Sequence, residues 1–195
     1  MDISMLKNLS GLVSIFFGLI TALPYFIQLW RRTAKPHVFS WLTWGTIIGL
    51  GFILSDEAGG GQGAWIFAIE SISCFIIAFF AIFRGEKNIT RLDIISFTSA
   101  MVITVFYVLT RNAIASAVLA ATIDLLGFVP TVRKSYMAPH GEPALNYFFS
   151  FLGFFFSLLA LREYNFVTIF YPLTLVISGG GFVLFLLIRR KAIPK

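Results

Sequence analysis

The stretch that decides the fold is GLITALPYFIQLWRR at residues 18–32, because it has a counterpart, DLLGFVPTVRKSYMA, at residues 124–138. A shift of 106 positions places residues 18–84 over 124–190 without a gap, with Pro24 on Pro130. Each copy contains three long apolar runs, and a seventh run lies between the copies. This order predicts a parallel internal repeat, in which both copies cross a membrane in the same sense. Repeats of this kind build transporters with a solute site between the halves.

The composition indicates a membrane protein. The chain is 58% hydrophobic and only 12% charged, and 23 of its 195 residues are Phe. A soluble domain has about 25% charged residues, and a chain of this length cannot bury so much apolar surface in one core. The runs are continuously apolar, which excludes alternating strands and leaves helices as the spanning element. Seven spans are predicted, at 9–30, 38–55, 64–83, 92–110, 113–132, 144–161 and 166–189.

The predicted fold class is therefore an all-α integral membrane protein with seven transmembrane helices in two parallel three-helix repeats. Residues 1–91 form the first repeat, residues 92–112 a linker helix and residues 113–195 the second repeat. The glycine-rich sequence SDEAGGGQG at 55–63 predicts a flexible, solvated connector, with a lid over the outer mouth as the alternative. Pro172 is predicted to begin the seventh helix.

The distribution of basic residues predicts the orientation. Only Lys7, Arg111 and Arg162 lie on one side of the predicted spans, and the other twelve Lys and Arg residues lie on the opposite side. The positive-inside rule then places the N-terminus outside and the C-terminus in the cytoplasm, in the cell (inner) membrane. The twelve are Arg31, Arg32, Lys35, Arg84, Lys87, Arg91, Arg133, Lys134, Arg189, Arg190, Lys191 and Lys195.

Several classes of function are disfavoured by the sequence. No Ser–His–Asp set or phosphate-binding loop is found within the spans, so the chain is not expected to be an enzyme or to need a cofactor. The single cysteine, Cys74, and the two histidines, His37 and His140, do not form the ligand set of a metal site. No basic stripe interleaved with aromatic residues is present, so nucleic acid is not an expected partner.

Two acidic residues fall inside predicted spans. Asp124 lies about 18 Å into the fifth span at 1.5 Å per residue, near the midplane, and Glu70 lies about 9 Å into the third span. A carboxylate at such depth costs several kcal/mol unless it is protonated, paired or hydrated. Both residues are therefore predicted to line a solute-binding cavity, with Glu70 on the path to the outside. The alternative is a neutral, hydrogen-bonded clamp between helices, or for Glu70 a contact with the outer headgroups.

Other candidate residues occupy equivalent positions in the two copies. Ser40 and Asn146 coincide after the shift, near the inner ends of the second and sixth spans, and are predicted to bind the solute. Trp44 is the deepest of the four tryptophans and is predicted to form a cavity wall; the interfacial aromatic belt is the alternative for tryptophans near span ends. Pro24 and Pro130 are predicted to act as matched hinges, since proline weakens a helix, with a static kink as the alternative.

These residues carry a resemblance to a known family. Pro24 is preceded by GLITAL and followed by a basic turn and Ser40, and Pro130 is followed by Lys134 and Asn146 at the same spacing. The pattern resembles the PQ-loop repeat of the SWEET-like superfamily, which includes sugar, amino-acid and vitamin transporters and KDEL receptors. Residues 123–134, IDLLGFVPTVRK, also resemble a motif of small bacterial membrane proteins of undefined function. The Gln that follows the proline in the motif is replaced by Tyr25 and Thr131.

The sequence and the resemblance together predict a transporter. Its expected substrate is a small polar solute (a sugar, an amino acid or a nucleoside-like molecule), moved by alternating access between the repeats, with protons as a further partner. The alternatives are a receptor or sorting protein and a lipid-handling protein on the same fold. The lipid bilayer is the expected surrounding, and a homo-oligomer is compatible with the sequence.

Overall fold

The chain is helical throughout the part that the structure describes. The computed structural model describes residues 2–31, 38–85, 91–137, 139–141 and 143–193, and the side chains within these ranges except those of residues 92, 93, 127, 129–131, 133, 134 and 141. No strand occurs in these ranges, so the all-α prediction is confirmed. The helices are α1 Ile3–Thr21, α2 Leu23–Trp30, α3 Val38–Glu57, α4 Trp65–Arg84, α5 Arg91–Thr110, α6 Ala113–Met137, α7 Ala144–Ala160 and α8 Phe166–Ala192, with 3-10 turns at Gly61–Ala64 and Pro139–Gly141.

The helices coincide with the predicted apolar runs. Four segments are long and apolar enough to cross a membrane: Ile3–Trp30, Val38–Glu57, Gly61–Arg84 and Phe166–Ala192. Three further apolar helices are shorter, at Ile94–Thr110, Ala113–Leu126 and Ala144–Ala160. Large apolar side chains such as Phe83 and Leu109 are exposed along these helices, as expected for lipid-facing surface. The structure thus gives four clear candidate spans, and the seven-span arrangement stays a prediction.

Two ends of the helical bundle are defined by contacts between distant parts of the chain. At one, here called the Glu57 end, the Glu57 carboxylate accepts a hydrogen bond from the Tyr107 hydroxyl and lies 3.5 Å from the Arg111 guanidinium. The same end includes Lys7, whose ammonium group donates to the Arg162 carbonyl at 3.1 Å. At the other, the Arg189 end, Arg189 donates to the Tyr136 carbonyl at 2.7 Å. The predicted basic residues Arg32, Lys35, Lys87 and Lys195, and His37, lie outside the described residues.

The two predicted halves have the same pattern of helix neighbours. In the first half, α4 packs against both α1 and α3, and in the second half, α8 packs against both α6 and α7. Between the halves, α1 packs against α7 and α3 packs against α6, the exchanged pairing that a pseudo-twofold axis produces. The linker helix α5 packs on α3 and α6.

The connection at the Glu57 end is packed over much of its length, so the prediction of a solvated connector at 55–63 holds only at the exposed residues Asp56, Glu57 and Gln62. Gly63 and Ala64 are buried, and the Gly63 carbonyl accepts a hydrogen bond from the Ser157 hydroxyl at 2.6 Å. The Gly59 and Gly60 carbonyls accept from the backbone N–H groups of Glu163 and Arg162, at 3.1 and 3.2 Å. Glycine allowed this, because Gly59 and Gly61 have positive φ and Gly63 lies against backbone atoms of α7. The segment thus covers the Glu57 end, as the alternative of a lid requires.

The prolines differ in their effects on the backbone. The first span is divided at Ala22, and Pro24 lies in the first turn of α2, where its missing N–H costs nothing. At Pro130 the helix α6 is continuous from Ala113 to Met137, so the two positions are not matched breaks. Pro172 lies inside α8 and does not begin it. That helix begins at Phe166, because Asn165 and Thr168 form a capping box ahead of it.

Candidate functional site

A cavity of about 290 Å³ lies between the two halves. Its described walls come from the first span (α1 and α2) and from α3, α4, α6, α7 and α8, whereas α5 contributes no described lining residue. The five predicted solute-binding residues all line this cavity: Ser40, Trp44, Glu70, Asp124 and Asn146. The structure therefore brings the candidate residues together, and their role in binding stays a prediction.

The cavity reaches from mid-height of the bundle to the Arg189 end. Toward the Arg189 end it is lined by Ser40, in the first turn of α3, and by Pro143, the N-cap of α7, whereas Glu70 and Phe154 line it at the opposite limit. Beyond this limit, toward the Glu57 end, the side chains are fully buried. The Phe67 ring packs against Phe154 and Tyr171 with ring centroids 4.9 and 5.5 Å apart. This aromatic cluster, together with the covering connection, closes the Glu57 end.

Glu70 lies at the closed limit of the cavity and joins the two halves. Its side chain is on α4, is 8% exposed and accepts hydrogen bonds from the Ser150 hydroxyl of α7, at 3.1 and 3.4 Å to its two oxygens. The predicted path from Glu70 to the outside is shut in this conformation, because Ile66 and Phe67 follow it toward the Glu57 end with no exposed surface.

Asp124 contributes a second carboxyl group on the opposite half. It is 8% exposed and lines the cavity, and within the described part of the chain no group donates a hydrogen bond to it. The hydrogen-bonded clamp that was the alternative for Asp124 is therefore not formed with the described residues. Gly18, its equivalent in the first copy, also lines the cavity. The carboxyl group of one half thus corresponds to a position without a side chain in the other half, which makes the site asymmetric.

Aromatic rings form walls on both halves. Tyr25 packs on Trp41 with ring centroids 4.7 Å apart, and Trp41 packs edge-on against Trp44 at 5.4 Å. From the second half, Phe128 and Tyr147 lie edge-to-face at 5.9 Å. All five rings line the cavity, so Trp44 forms part of the cavity wall as predicted.

The lining repeats between the two copies, and this reveals a residue that sequence reasoning missed. Ser150 is the partner of Glu70, and the shift of 106 positions places it on Trp44, which was predicted. Applying the shift to every candidate would have found it. Seven pairs of lining residues are equivalent in this way: Gly18 and Asp124, Ala22 and Phe128, Ser40 and Asn146, Trp41 and Tyr147, Trp44 and Ser150, Ile48 and Phe154, Ser73 and Gly179.

The described residues were also compared with the requirements of a metal site. Among them no group of three or more His, Cys, Asp or Glu side chains is placed to hold a metal ion. Comparisons of this chain with protein-family models, with curated proteins and with solved structures find no match. The geometry of the cavity is therefore the basis for assigning a function.

Proposed function

We propose that this chain is a multi-pass membrane transporter that moves a small polar solute by alternating access between two three-helix repeats. The observation that carries the proposal is the cavity, which lies between the halves, is lined by equivalent residues from both copies and is closed at the Glu57 end. A transporter needs a solute site at the interface of its repeats and a barrier at one end. The cavity and the packed Glu57 end support this assignment.

The proposal includes the seven-span, SWEET-like arrangement and its orientation. The exchanged packing of α1 on α7 and of α3 on α6 supports two parallel repeats, because a pseudo-twofold axis produces it. By the positive-inside rule, the basic residues of the Arg189 end favour the cytoplasmic side of a cell (inner) membrane for that end. The cavity then faces inward, and the covering connection at 58–64 and the aromatic cluster close the outer end.

The two carboxyl groups give this transporter a means of coupling to protons. Glu70 and Asp124 both line this one cavity, one from each half. A protonated carboxyl is tolerated in a closed, dry site, whereas an ionised one requires water or a cation. A proton can therefore bias the equilibrium between conformations that differ in the hydration of the cavity.

Uptake into proteoliposomes tests the proposal. The purified protein is assayed with labelled sugars, amino acids, amines and nucleosides, with and without a pH gradient. We expect at least one solute to accumulate, and we expect the gradient to increase its accumulation. Uptake equal to that of protein-free liposomes for every solute would contradict the transporter assignment.

Substitution of Asp124 separates binding from coupling. Asp124→Asn keeps the size of the side chain and removes its titration, so we expect solute exchange to persist and gradient-driven accumulation to be lost. The matched control is Asp56→Asn, which changes an exposed carboxylate at the Glu57 end and is expected to behave like the wild type. Gradient-driven accumulation by Asp124→Asn would show that Asp124 is not the coupling residue.

A further inference from the structure

The charges around the cavity are unbalanced. Two carboxyl groups line it, and none of the described lining residues is Lys, Arg or His. Two of the described cations at the Arg189 end bind backbone carbonyls: Arg189 donates to the Tyr136 carbonyl, and Arg190 donates to the Pro139 carbonyl at 3.0 Å. Within the described chain, the carboxyl groups therefore have no ion-pair partner.

The hydrogen-bonding capacity of the carboxyl groups is also largely unused. Glu70 accepts from one donor, the Ser150 hydroxyl, and Asp124 accepts from no described group although it is 8% exposed. An ionised carboxylate has about four acceptor positions. A buried carboxylate that lacks donors is costly unless it is protonated, hydrated or paired with a cation. Both carboxyl groups line the cavity, so a cationic ligand bound there can pair with them.

The aromatic walls favour the same kind of ligand. Tyr25, Trp41 and Trp44 lie on one side of the cavity, and Phe128 and Tyr147 lie on the other. The faces of aromatic rings attract cations, and Trp does so most strongly. A site made of carboxylates and aromatic rings is suited to an ammonium or pyridinium group, whose charge is spread over apolar atoms.

We propose that the solute taken by this cavity is a small organic cation, such as an amine, a quaternary ammonium or a pyridinium compound. Its charged group lies between the carboxyl groups of Glu70 and Asp124, and its apolar part packs against the aromatic rings of the two halves. Asn146 and Ser40 bind polar substituents of the solute nearer the Arg189 end. This inference rests on the proposed function for its transport step and not for its binding step.

A pair of probes with one shape and different charge tests the inference. The cation 1-methylnicotinamide and the neutral 3-methylbenzamide differ by a nitrogen in place of a ring carbon. Binding to the full-length protein in detergent is measured by isothermal titration calorimetry in mildly alkaline buffer. We expect the cation to bind about tenfold more tightly or better, because only the cation gains ion-pair and cation–π energy. Equal or tighter binding of the neutral probe, or no binding of the cation, would overturn the inference.

Variants of the two carboxyl residues test whether these residues cause the preference for the cationic probe. Glu70→Gln and Asp124→Asn are each expected to reduce the preference for the cation to within about threefold of the neutral probe, since each removes a charge that faces the ligand. Asp56→Asn is expected to keep the full preference, and a thermal melt of each variant confirms folding. An unchanged preference in both cavity variants would overturn the inference.

The test of cation binding and the test of solute transport can fail independently of each other. If the cation binds but never accumulates in proteoliposomes, the transporter assignment fails and the cation site stands. If a neutral or anionic solute accumulates and the cation neither binds nor competes with it, transport stands and the cation site is refuted.

Discussion

At the scale of single residues, the closed end of the cavity depends on a glycine. A Cβ atom at Gly51 would lie 2.7 and 2.8 Å from the ring of Tyr171 and 3.0 Å from that of Phe67, and both rings are fully packed. Gly51→Ala is therefore expected to lower the free energy of unfolding by about 1–3 kcal/mol, the usual cost of overpacking. The measurement is a thermal or denaturant melt in detergent.

Gly181→Ala is the matched control for this prediction. A Cβ atom there would have no heavy atom within 4 Å, and Gly181 lies inside α8. Alanine favours a helix interior over glycine by up to about 1 kcal/mol, so this variant is expected to match or exceed the wild type. Equal stability of the Gly51 and Gly181 variants would contradict the tight packing of the aromatic cluster.

Some residues of the site could be predicted because a carboxyl group inside a bilayer carries a large free-energy cost. Asp124 and Glu70 stood out because a carboxyl group within an apolar run requires a reason, and Ser40 and Asn146 because the repeat aligns them. The partners of these residues were harder to predict. Ser150 and Tyr25 are ordinary residues in a membrane helix, and only the packing of α7 against α4 and of α2 against α3 brings them to the cavity.

At the scale of elements, the positions of the helices could be predicted from hydrophobicity, whereas the structure of the connections could not. Continuous apolar runs located each helix, because a bilayer leaves the backbone few other solutions. The glycine-rich segment 58–64 looked mobile in sequence, yet Gly63 permits close packing against α7, and Gly11 of α1 permits the close approach of Gln62. Pro172 was assigned to a helix start on local grounds, but the capping box at Asn165 places that start one turn and a half earlier.

The covering connection is expected to be protected from solvent in spite of its composition. The N–H groups of Gly59 and Gly60 donate to the carbonyls of Asp56 and Ser55, at 3.0 and 2.7 Å, and Ser157 holds the Gly63 carbonyl. Hydrogen–deuterium exchange of the 59–64 amides should therefore be well below the rate of an unstructured glycine loop. Exchange at the unstructured rate would contradict the packed connection.

Ser157→Ala tests which contact holds this connection. It leaves the buried Gly63 carbonyl without its donor, which costs about 1–3 kcal/mol, so exchange of the 59–64 amides should rise about tenfold. Ser150→Ala is the control, because it removes a hydroxyl from the same helix α7 at the level of Glu70. No difference between the two variants would mean that Ser157 does not anchor the connection.

At the scale of the whole molecule, the two halves meet differently at the two ends. At the Glu57 end they are joined by Lys7 of the first half, which donates to the Arg162 carbonyl and lies 4.9 Å from the Tyr164 ring centroid. Toward the Arg189 end the cavity separates them. Alternating access requires this relation to reverse, so that the contacts of Lys7 break when the cavity opens outward.

Cross-linking the Glu57 end tests this reversal. Lys7→Cys and Tyr164→Cys, in a Cys74→Ala background, are joined by a short, membrane-impermeant bismaleimide added to intact cells. We expect the cross-link to abolish solute uptake and to leave solute binding to the purified protein intact, because the cavity opens toward the Arg189 end.

A control pair, Glu57→Cys with Arg111→Cys, joins α3 to the linker helix and is expected to leave uptake unchanged. The impermeant reagent reaches the pair only if the Glu57 end faces outward, so failure to react would contradict the orientation. Full uptake after a completed cross-link would show that the Glu57 end does not open, and transport by alternation of the two halves would then be excluded.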